Sequence, residues 1–467
     1  MLAILLASIS FAQTDSAKAE TIKDFHKMGS NYYAYPTPTA KYTKAPAGYK
    51  PFYISHYGRH GSRFHQPADH YHELYNTLAK ADSLGKLTNL GKSLLERAKY
   101  LDEYAAPRAG DLTQLGVQQH QGIAKRMVKN FPELFKNDAY VEAYASTSTR
   151  CVVSMAAFLE ELRAQKPKLD IHQESGKYLM AFISPLDFSK IISESNTPAW
   201  QKENEKLYSH VDPTRMMRSI FNDTNYIKKN VNAGELYSRI YEIGNSLQGS
   251  PEIEFSFNDL WTAEELFERW RAQNAWWYSV LGNNPFAQKQ GLENARPLLK
   301  NVLEVADNVI AADTAALTKA DKTAGKKAPK KTTATLRFGH DTVIFPFVAL
   351  LQLGTAGVET ADMENLHKVY RDYEISPMAA NVQFIFYKKK GSPTLVKVLL
   401  NETEQTLPVK CDQQGVSADS TGSSTGSVTS TSSLGQPKGT ATKCPAAPYY
   451  RWDDVRVFYG KIANKNQ

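Results

Sequence analysis

Three short runs of strand-forming residues each end in a turn that carries Arg or His, and this repetition constrains the fold more than any other feature of the chain. In the first, Pro51-Phe-Tyr-Ile-Ser-His-Tyr57 leads into Gly58-Arg59-His60-Gly61-Ser62-Arg63. In the second, Ala139 to Ala145 leads into Ser146-Thr147-Ser148-Thr149, residues suited to capping a helix. Arg150 then opens a helix, because Val152, Met155, Ala156, Leu159 and Leu162 recur at helical spacing. In the third, Thr333 to Phe338 leads through Gly339 into His340-Asp341-Thr342 and an apolar helix. Strands alternating with helices predict an α/β fold: a mostly parallel sheet with flanking helices.

In such a sheet the ligand crevice lies outside the carboxyl ends of the strands. Helix N-termini there offer free N–H groups to an anion. Arg59, Arg63 and Arg150 can grip a phosphate through planar, permanently charged forks. A formal charge of +8 agrees with an anionic partner. Between the arginines sits His60, whose neutral imidazole can attack phosphorus and form a phosphohistidine. Neighbouring guanidiniums disfavour its protonation and stabilise charge on the transferring phosphoryl group. Asp341 is the donor expected to protonate the leaving alkoxide, and His340 is expected to bond the phosphoryl group. This chemistry needs no metal and no cofactor.

The Arg59-His60-Gly61-Ser62-Arg63 string with distant His340-Asp341 resembles the histidine phosphatase superfamily, in its acid phosphatase and phytase branch. That family carries RHGxRxP with a distal HD or HAE. The resemblance implies that His60 is the nucleophile, that Asp341 is the proton donor, and that Arg59, Arg63, Arg150 and His340 bind phosphate. Gly110-Asp-Leu-Thr113 with Gly116, the helix after Arg150, Asn381 to Phe386 and Leu399-Leu-Asn-Glu402 extend the likeness over most of the chain. The Arg150-Cys151 pair and the layout look like the multiple inositol polyphosphate phosphatases. Two departures stand out: His65 occupies the position where the family has proline, and the distal motif is His-Asp, as in acid phosphatases and many phytases, where inositol polyphosphate phosphatases usually carry His-Ala-Glu, with Thr342 at the Glu position.

The rest of the chain divides by composition. Residues 1–12 are apolar or small and read as a secretory signal peptide, too short to span a bilayer. Residues 13–184 form the first part of the α/β core. Residues 185–318 are predicted as a mainly helical cap, carrying five of the six tryptophans and one short alternating run, Ile253 to Phe257. Residues 319–332 are a Lys-rich linker. The core resumes over 333–467 and contains a Ser/Thr/Gly-rich loop at 416–443. Tyr449 to Tyr459 reads as a terminal strand region. Cys411 and Cys444 bracket the loop and could pair in an oxidising compartment, whereas Cys151 reads as a buried thiol. Five histidines lie between His56 and His72, but their spacing fits no standard zinc pattern. The tryptophans read as core rather than as a cofactor site.

The expectation is a periplasmic or secreted phosphatase working through phosphohistidine on phytate or another inositol polyphosphate. A broad acid phosphatase acting on sugar phosphates or nucleotides is the alternative within enzymes. A protein that binds polyanions without turnover is the alternative of another class. The partner is a phosphorylated small molecule, with neither nucleic acid nor stable membrane insertion expected.

Overall fold

The computed structural model describes residues 17–39, 41–136, 139–185, 187–314, 330–411 and 444–464. The signal-peptide reading at 1–12, most of the Lys-rich linker and the loop at 416–443 lie outside the described residues. Eight strands form one sheet: β1 (Lys50–Arg59), β2 (Tyr140–Ala145), β3 (Asp170–Ser175), β4 (Thr332–Gly339), β5 (Asn381–Lys388), β6 (Leu395–Leu400), β7 (Thr403–Glu404) and β8 (Tyr450–Arg451). Their order is β3-β2-β4-β1-β5-β6-β7, with β8 also paired to β6. The β3-β2-β4-β1 half is parallel and forms the core, while β5 to β8 run antiparallel. The alternating strand-helix pattern therefore resumes only for β4. The few residues between β5 and β6 cannot carry a crossover, so those strands pair as a hairpin.

Alternation along the strands splits the core into two layers. On one face Ile54, Val141, Ala143, Leu336 and Phe338 pack under α3 (Gln114–Asn130) and α4 (Thr149–Gln165). The buried face of α4 carries Cys151, Met155, Phe158, Leu159 and Leu162, so Met155, Leu159 and Leu162 lie where the spacing puts them, whereas Val152 is only partly buried and Ala156 is exposed. Each fully buried apolar side chain of this kind contributes about 1.5–3 kcal/mol. On the other face Tyr53, Tyr57, Phe384 and Phe386 meet α10 (Ala263–Leu281), α11 (Gln290–Thr314), α12 (Asp341–Leu350) and α13 (Trp452–Ala463).

The helices α5 (Phe188–Ser195), α6 (Pro198–Tyr208), α7 (Thr214–Ile220), α8 (Thr224–Asn230) and α9 (Ala233–Ser246) precede α10. A separate apolar cluster joins α7 to α9 with α1 (Asp69–Ser83) and α2 (Asn89–Tyr104), so helices distant in sequence share one core.

Two local expectations are corrected. Ile253 to Phe257 is not a strand: Ile253 and Phe257 are buried in the helical cluster, but no neighbouring strand offers a ladder. Tyr449 to Tyr459 is a strand only at Tyr450–Arg451 and then becomes α13. Trp452, Val455 and Tyr459 bury one helical face, and Asp453 and Asp454 suit the positive N-terminal end of the helix. Cys411 and Cys444 form a disulfide, and Cys151 is a free, buried thiol.

Two histidines inside the sheet layer make stability depend on acid. His56 packs between Phe158 and Phe338 at 5.6 and 5.5 Å between ring centroids, and His120 lies 5.7 Å from Phe338. Burial lowers both to about 3, with His120 and Arg337 adding to the shift of His56. The unfolded chain protonates these imidazoles near their ordinary value, about 6.5, while the folded chain does not. Their stabilising effect is thus complete above that value and is lost as the pH falls toward 3. Near pH 4.5 the loss comes to roughly 2–3 kcal/mol for each group. The melting temperature should fall on acidification, and less so in His120→Leu. Parallel curves for wild type and variant would show that His120 is not responsible.

Candidate active site

The parallel pairing of β2, β4 and β1 aligns their carboxyl ends. Arg59 stands opposite Gly339, and Ala145 opposite Phe338. The three basic turns separated in sequence therefore meet at one edge of the sheet. Backbone bonds lock the junction: the N–H of His60 donates to Gly339 C=O at 2.9 Å, and that of Ser146 to Phe338 C=O at 2.9 Å. β1 runs through Arg59, and the next helix begins only at Asp69. The first turn is thus a loop rather than a direct entry into a helix. That loop packs tightly on the start of α3, where a Cβ on Gly61 would collide with the carbonyl of Gly116. Glycine is needed there for close backbone approach. The amide N–H of Ser62 donates to Gln119 Oε1 at 2.8 Å, and Gln119 Nε2 donates back to Ser62 Oγ at 2.9 Å.

His60 is 1% exposed. Its Nδ1 lies 2.9 Å from the carbonyl oxygen of Gly61. A carbonyl only accepts, so Nδ1 carries the proton and Nε2 keeps its lone pair. Burial first, then the charges of Arg59, Arg150, Arg63 and His340, push the imidazole well below its ordinary range. The ring is thus held neutral, with its free lone pair on Nε2.

Asp341 opens α12, and its carboxylate is held from three sides. Oδ2 accepts from Arg59 Nη2 and from Asn31 Nδ2, each at 2.8 Å, and Oδ1 accepts from the Thr342 N–H at 2.9 Å. Burial would raise this carboxyl, but Arg59, Arg63 and the Asn31 hydrogen bond outweigh it and hold it at about 2. Arg59 is fully buried. Its Nη1 donates to the carbonyls of Asn31 at 2.6 Å and Ser376 at 2.8 Å. Its guanidinium thus lies behind Asp341 and not among the residues lining the cavity.

His340 caps α12 with its ring edge-on to His60, 5.7 Å between centroids. Its Nε2 is 2.8 Å from Ser146 Oγ, and its Nδ1 faces Arg150 Nη2 at 3.4 Å. Arginine only donates, so Nδ1 accepts and Nε2–H points to Ser146. Burial, followed by the charge of Arg150, lowers His340 to about 4. Arg63 and Arg150 both line the cavity, and the buried Nε atoms of both have no hydrogen-bond partner among the described residues.

These groups open on a cavity of about 470 Å³. His60, Arg63, Arg150, His340 and Asp341 all line it, so five of the six site residues expected from sequence share one cavity, and Arg59 supports Asp341 from behind. The helical segment adds Phe188, Tyr241, Glu242, Trp276 and Trp277 to the lining. Trp277 is also core, stacked on Phe345 at 4.9 Å. Sequence reasoning did not find Asn31, Tyr32 or Ser146. Asn31 and Tyr32 precede β1 with no motif around them, and Ser146 was read only as a helix cap.

The five closely spaced histidines do not form one cluster. His56 is in the core, His60 lines the cavity, His72 bonds Asp102, and His65 bonds His70. Among the described residues, His65, His70 and Glu242 bring ligand-type atoms within 4.8 Å of one another. The two imidazoles, however, share a 2.7 Å hydrogen bond, and Arg239 Nη1 lies 2.6 Å from the remaining nitrogen of His70. This is a hydrogen-bonded arrangement closed by a cation rather than an open ligand set.

The family model described as histidine phosphatase superfamily (branch 2) matches residues 58–401. No curated protein sequence matches the chain. The multiple inositol polyphosphate phosphatase of Bifidobacterium longum in complex with inositol hexasulfate superposes with a TM-score of 0.65 at 19% identity, over 84% of this chain and 95% of the other. Its phosphate complex gives 0.65 at 20% identity over the same shares. The phytase from D. castellii gives 0.61 at 13% identity, over 95% of this chain and 86% of the other. At these identities the superpositions establish a shared fold.

Proposed function

Because the chain belongs to branch 2 of the histidine phosphatase superfamily and is a phosphatase, we propose that it hydrolyses phosphomonoesters in two steps through a phosphohistidine on His60. The observation that carries this reading is the unprotonated Nε2 of His60 beside Arg63 and Arg150 in the same cavity as Asp341. In the first step Nε2 attacks phosphorus, the P–O ester bond breaks, and Asp341 protonates the departing oxygen. In the second, water attacks phosphorus, the P–N bond breaks, and Asp341 takes the proton from water. Arg63, Arg150 and His340 bind the phosphoryl group, with Arg59 holding Asp341 in place and adding its charge. The negative charge of the bound phosphoryl group raises the Asp341 carboxyl from its low value. Below about pH 6 a phosphomonoester also carries a proton that Asp341 can take up. Turnover should therefore be fastest on the acid side, limited further down by loss of the fold.

For the substrate, an inositol polyphosphate is supported by what the Bifidobacterium longum enzyme binds. The cavity favours a second reading, the broad acid phosphatase. Beyond Arg63 and Arg150 no Lys or Arg is among its described lining residues, and the helical segment gives it a wall of Glu242 and four aromatic side chains. Such a wall suits a single phosphate on an uncharged or planar group better than six phosphates. Export to the periplasm or outside the cell is supported by the Cys411–Cys444 disulfide. No helix among the described residues is long and apolar enough to cross a membrane.

The test is phosphate release from an aryl phosphate and from phytate. The wall predicts a kcat/KM for the aryl phosphate at least about tenfold higher, a difference of roughly 1.4 kcal/mol. The reverse ratio would establish the inositol polyphosphate reading. Release from neither substrate, with binding retained, would leave a polyanion-binding protein.

A further inference from the structure

We propose that the Tyr32 hydroxyl donates a hydrogen bond to the phosphoryl group of the substrate, aimed by a chain of two imidazoles that begins at Arg239. The proposal rests on the phosphatase reading of the same cavity and adds a binding residue to it. Four groups stand in line: Arg239 Nη1 lies 2.6 Å from His70 Nε2, His70 Nδ1 lies 2.7 Å from His65 Nε2, and His65 Nδ1 lies 2.7 Å from Tyr32 Oη.

A guanidinium has donors and no acceptor, so His70 Nε2 must accept. That puts the proton of the neutral ring on Nδ1, where Glu242 Oε2, 3.4 Å away, also favours it. His70 Nδ1–H then donates to His65 Nε2. The proton of His65 is left on Nδ1, and it donates to Tyr32 Oη. The opposite direction would place two donors face to face at Arg239. His65 is neutral, lowered to about 2 by burial, then by Arg63, His70 and Arg239.

With its oxygen accepting from His65, Tyr32 has its own O–H free to donate. The phenol lines the cavity together with His60 and Arg150, and its ring lies 5.3 Å under the Arg63 guanidinium. The acceptor-rich species that enters there is the phosphoryl group. The chain exists because His65 occupies the position where the RHGxRxP pattern has proline, which has no side-chain nitrogen to offer.

Tyr32 is a binding residue, and His65 is a positioning residue acting through it. The test measures orthophosphate binding by calorimetry, aryl phosphate turnover and melting temperature for wild type, Tyr32→Phe, His65→Leu, His65→Asn and Tyr32→Phe/His65→Leu. A hydrogen bond to a charged group predicts about tenfold or more weaker phosphate binding in Tyr32→Phe, with its melting temperature retained. His65→Leu should show the same loss, with no further loss in the double variant. His65→Asn, whose amide N–H sits near the place of Nδ1, should restore most of the affinity.

Unchanged phosphate affinity in Tyr32→Phe overturns the proposal. Additive losses in the double variant, or no rescue by Asn, overturn the imidazole chain. Absent turnover in wild type with phosphate binding weakened in Tyr32→Phe would sink the phosphatase reading and leave Tyr32 as an anion donor. Wild type that binds no phosphate would overturn both.

Discussion

His60→Ala should lower phosphate release by at least about 10⁴-fold on every substrate while orthophosphate still binds. Of the three imidazoles among the described lining residues, this one alone keeps a free lone pair, because His340 has both nitrogens engaged by Ser146 and Arg150, and His65 by Tyr32 and His70. The neighbouring guanidiniums do not depend on it for their positions: Arg59, behind Asp341, is anchored by Asn31, Ser376 and Asp341, and Arg63, in the cavity lining, by the Phe64 carbonyl at 3.0 Å. The ring makes one local hydrogen bond, so the fold should survive its removal. Rapid quenching of wild type should trap an acid-labile phosphoenzyme that is missing from the variant. Residual turnover within tenfold of wild type would exclude a phosphohistidine at this position.

Asp341→Asn should reduce kcat by about 10²–10⁴-fold for an alkyl phosphate and by much less for a nitrophenyl phosphate. An alkoxide cannot leave without a proton, whereas a nitrophenolate can. The amide oxygen can still accept from Arg59 and Asn31, so phosphate affinity should change little and the effect should appear in kcat. The acid dependence of turnover should also flatten, because the group that must gain a proton has been removed. Equal losses for both leaving groups would mean that Asp341 acts through Arg59 or through the shape of the site and not as the acid.

Much of the site was legible because its parts are local. A strand, a Gly or Ser turn and an Arg or His within a few residues identify a strand end whatever the remainder of the chain does. Arg63, His60, Arg150, His340 and Asp341 were named on that basis, and they line one cavity. What the sequence could not state is which strands are neighbours. The order β2-β4-β1 is decided by long-range pairing, and it alone turns three separate motifs into one pocket.

The same limit explains the two local errors, one in the helical segment and one at the end of the chain's last strand. Alternation at Ile253 to Phe257 looks like a strand until no partner is present, and Trp452 to Tyr459 yields to the helical period once α13 has a sheet face to cover. By itself, the sequence determined the α/β class, the basic turns at the strand ends, and which acid and nucleophile to expect there. All of these follow from residue type and short spacing. Only the tertiary structure decided that Arg59 lies behind Asp341, that Asn31 and Tyr32 enter the site from a segment without a motif, and that Glu242 and tryptophans line the same cavity as the arginines. Each of these depends on contacts between residues tens to hundreds of positions apart, which no local pattern encodes.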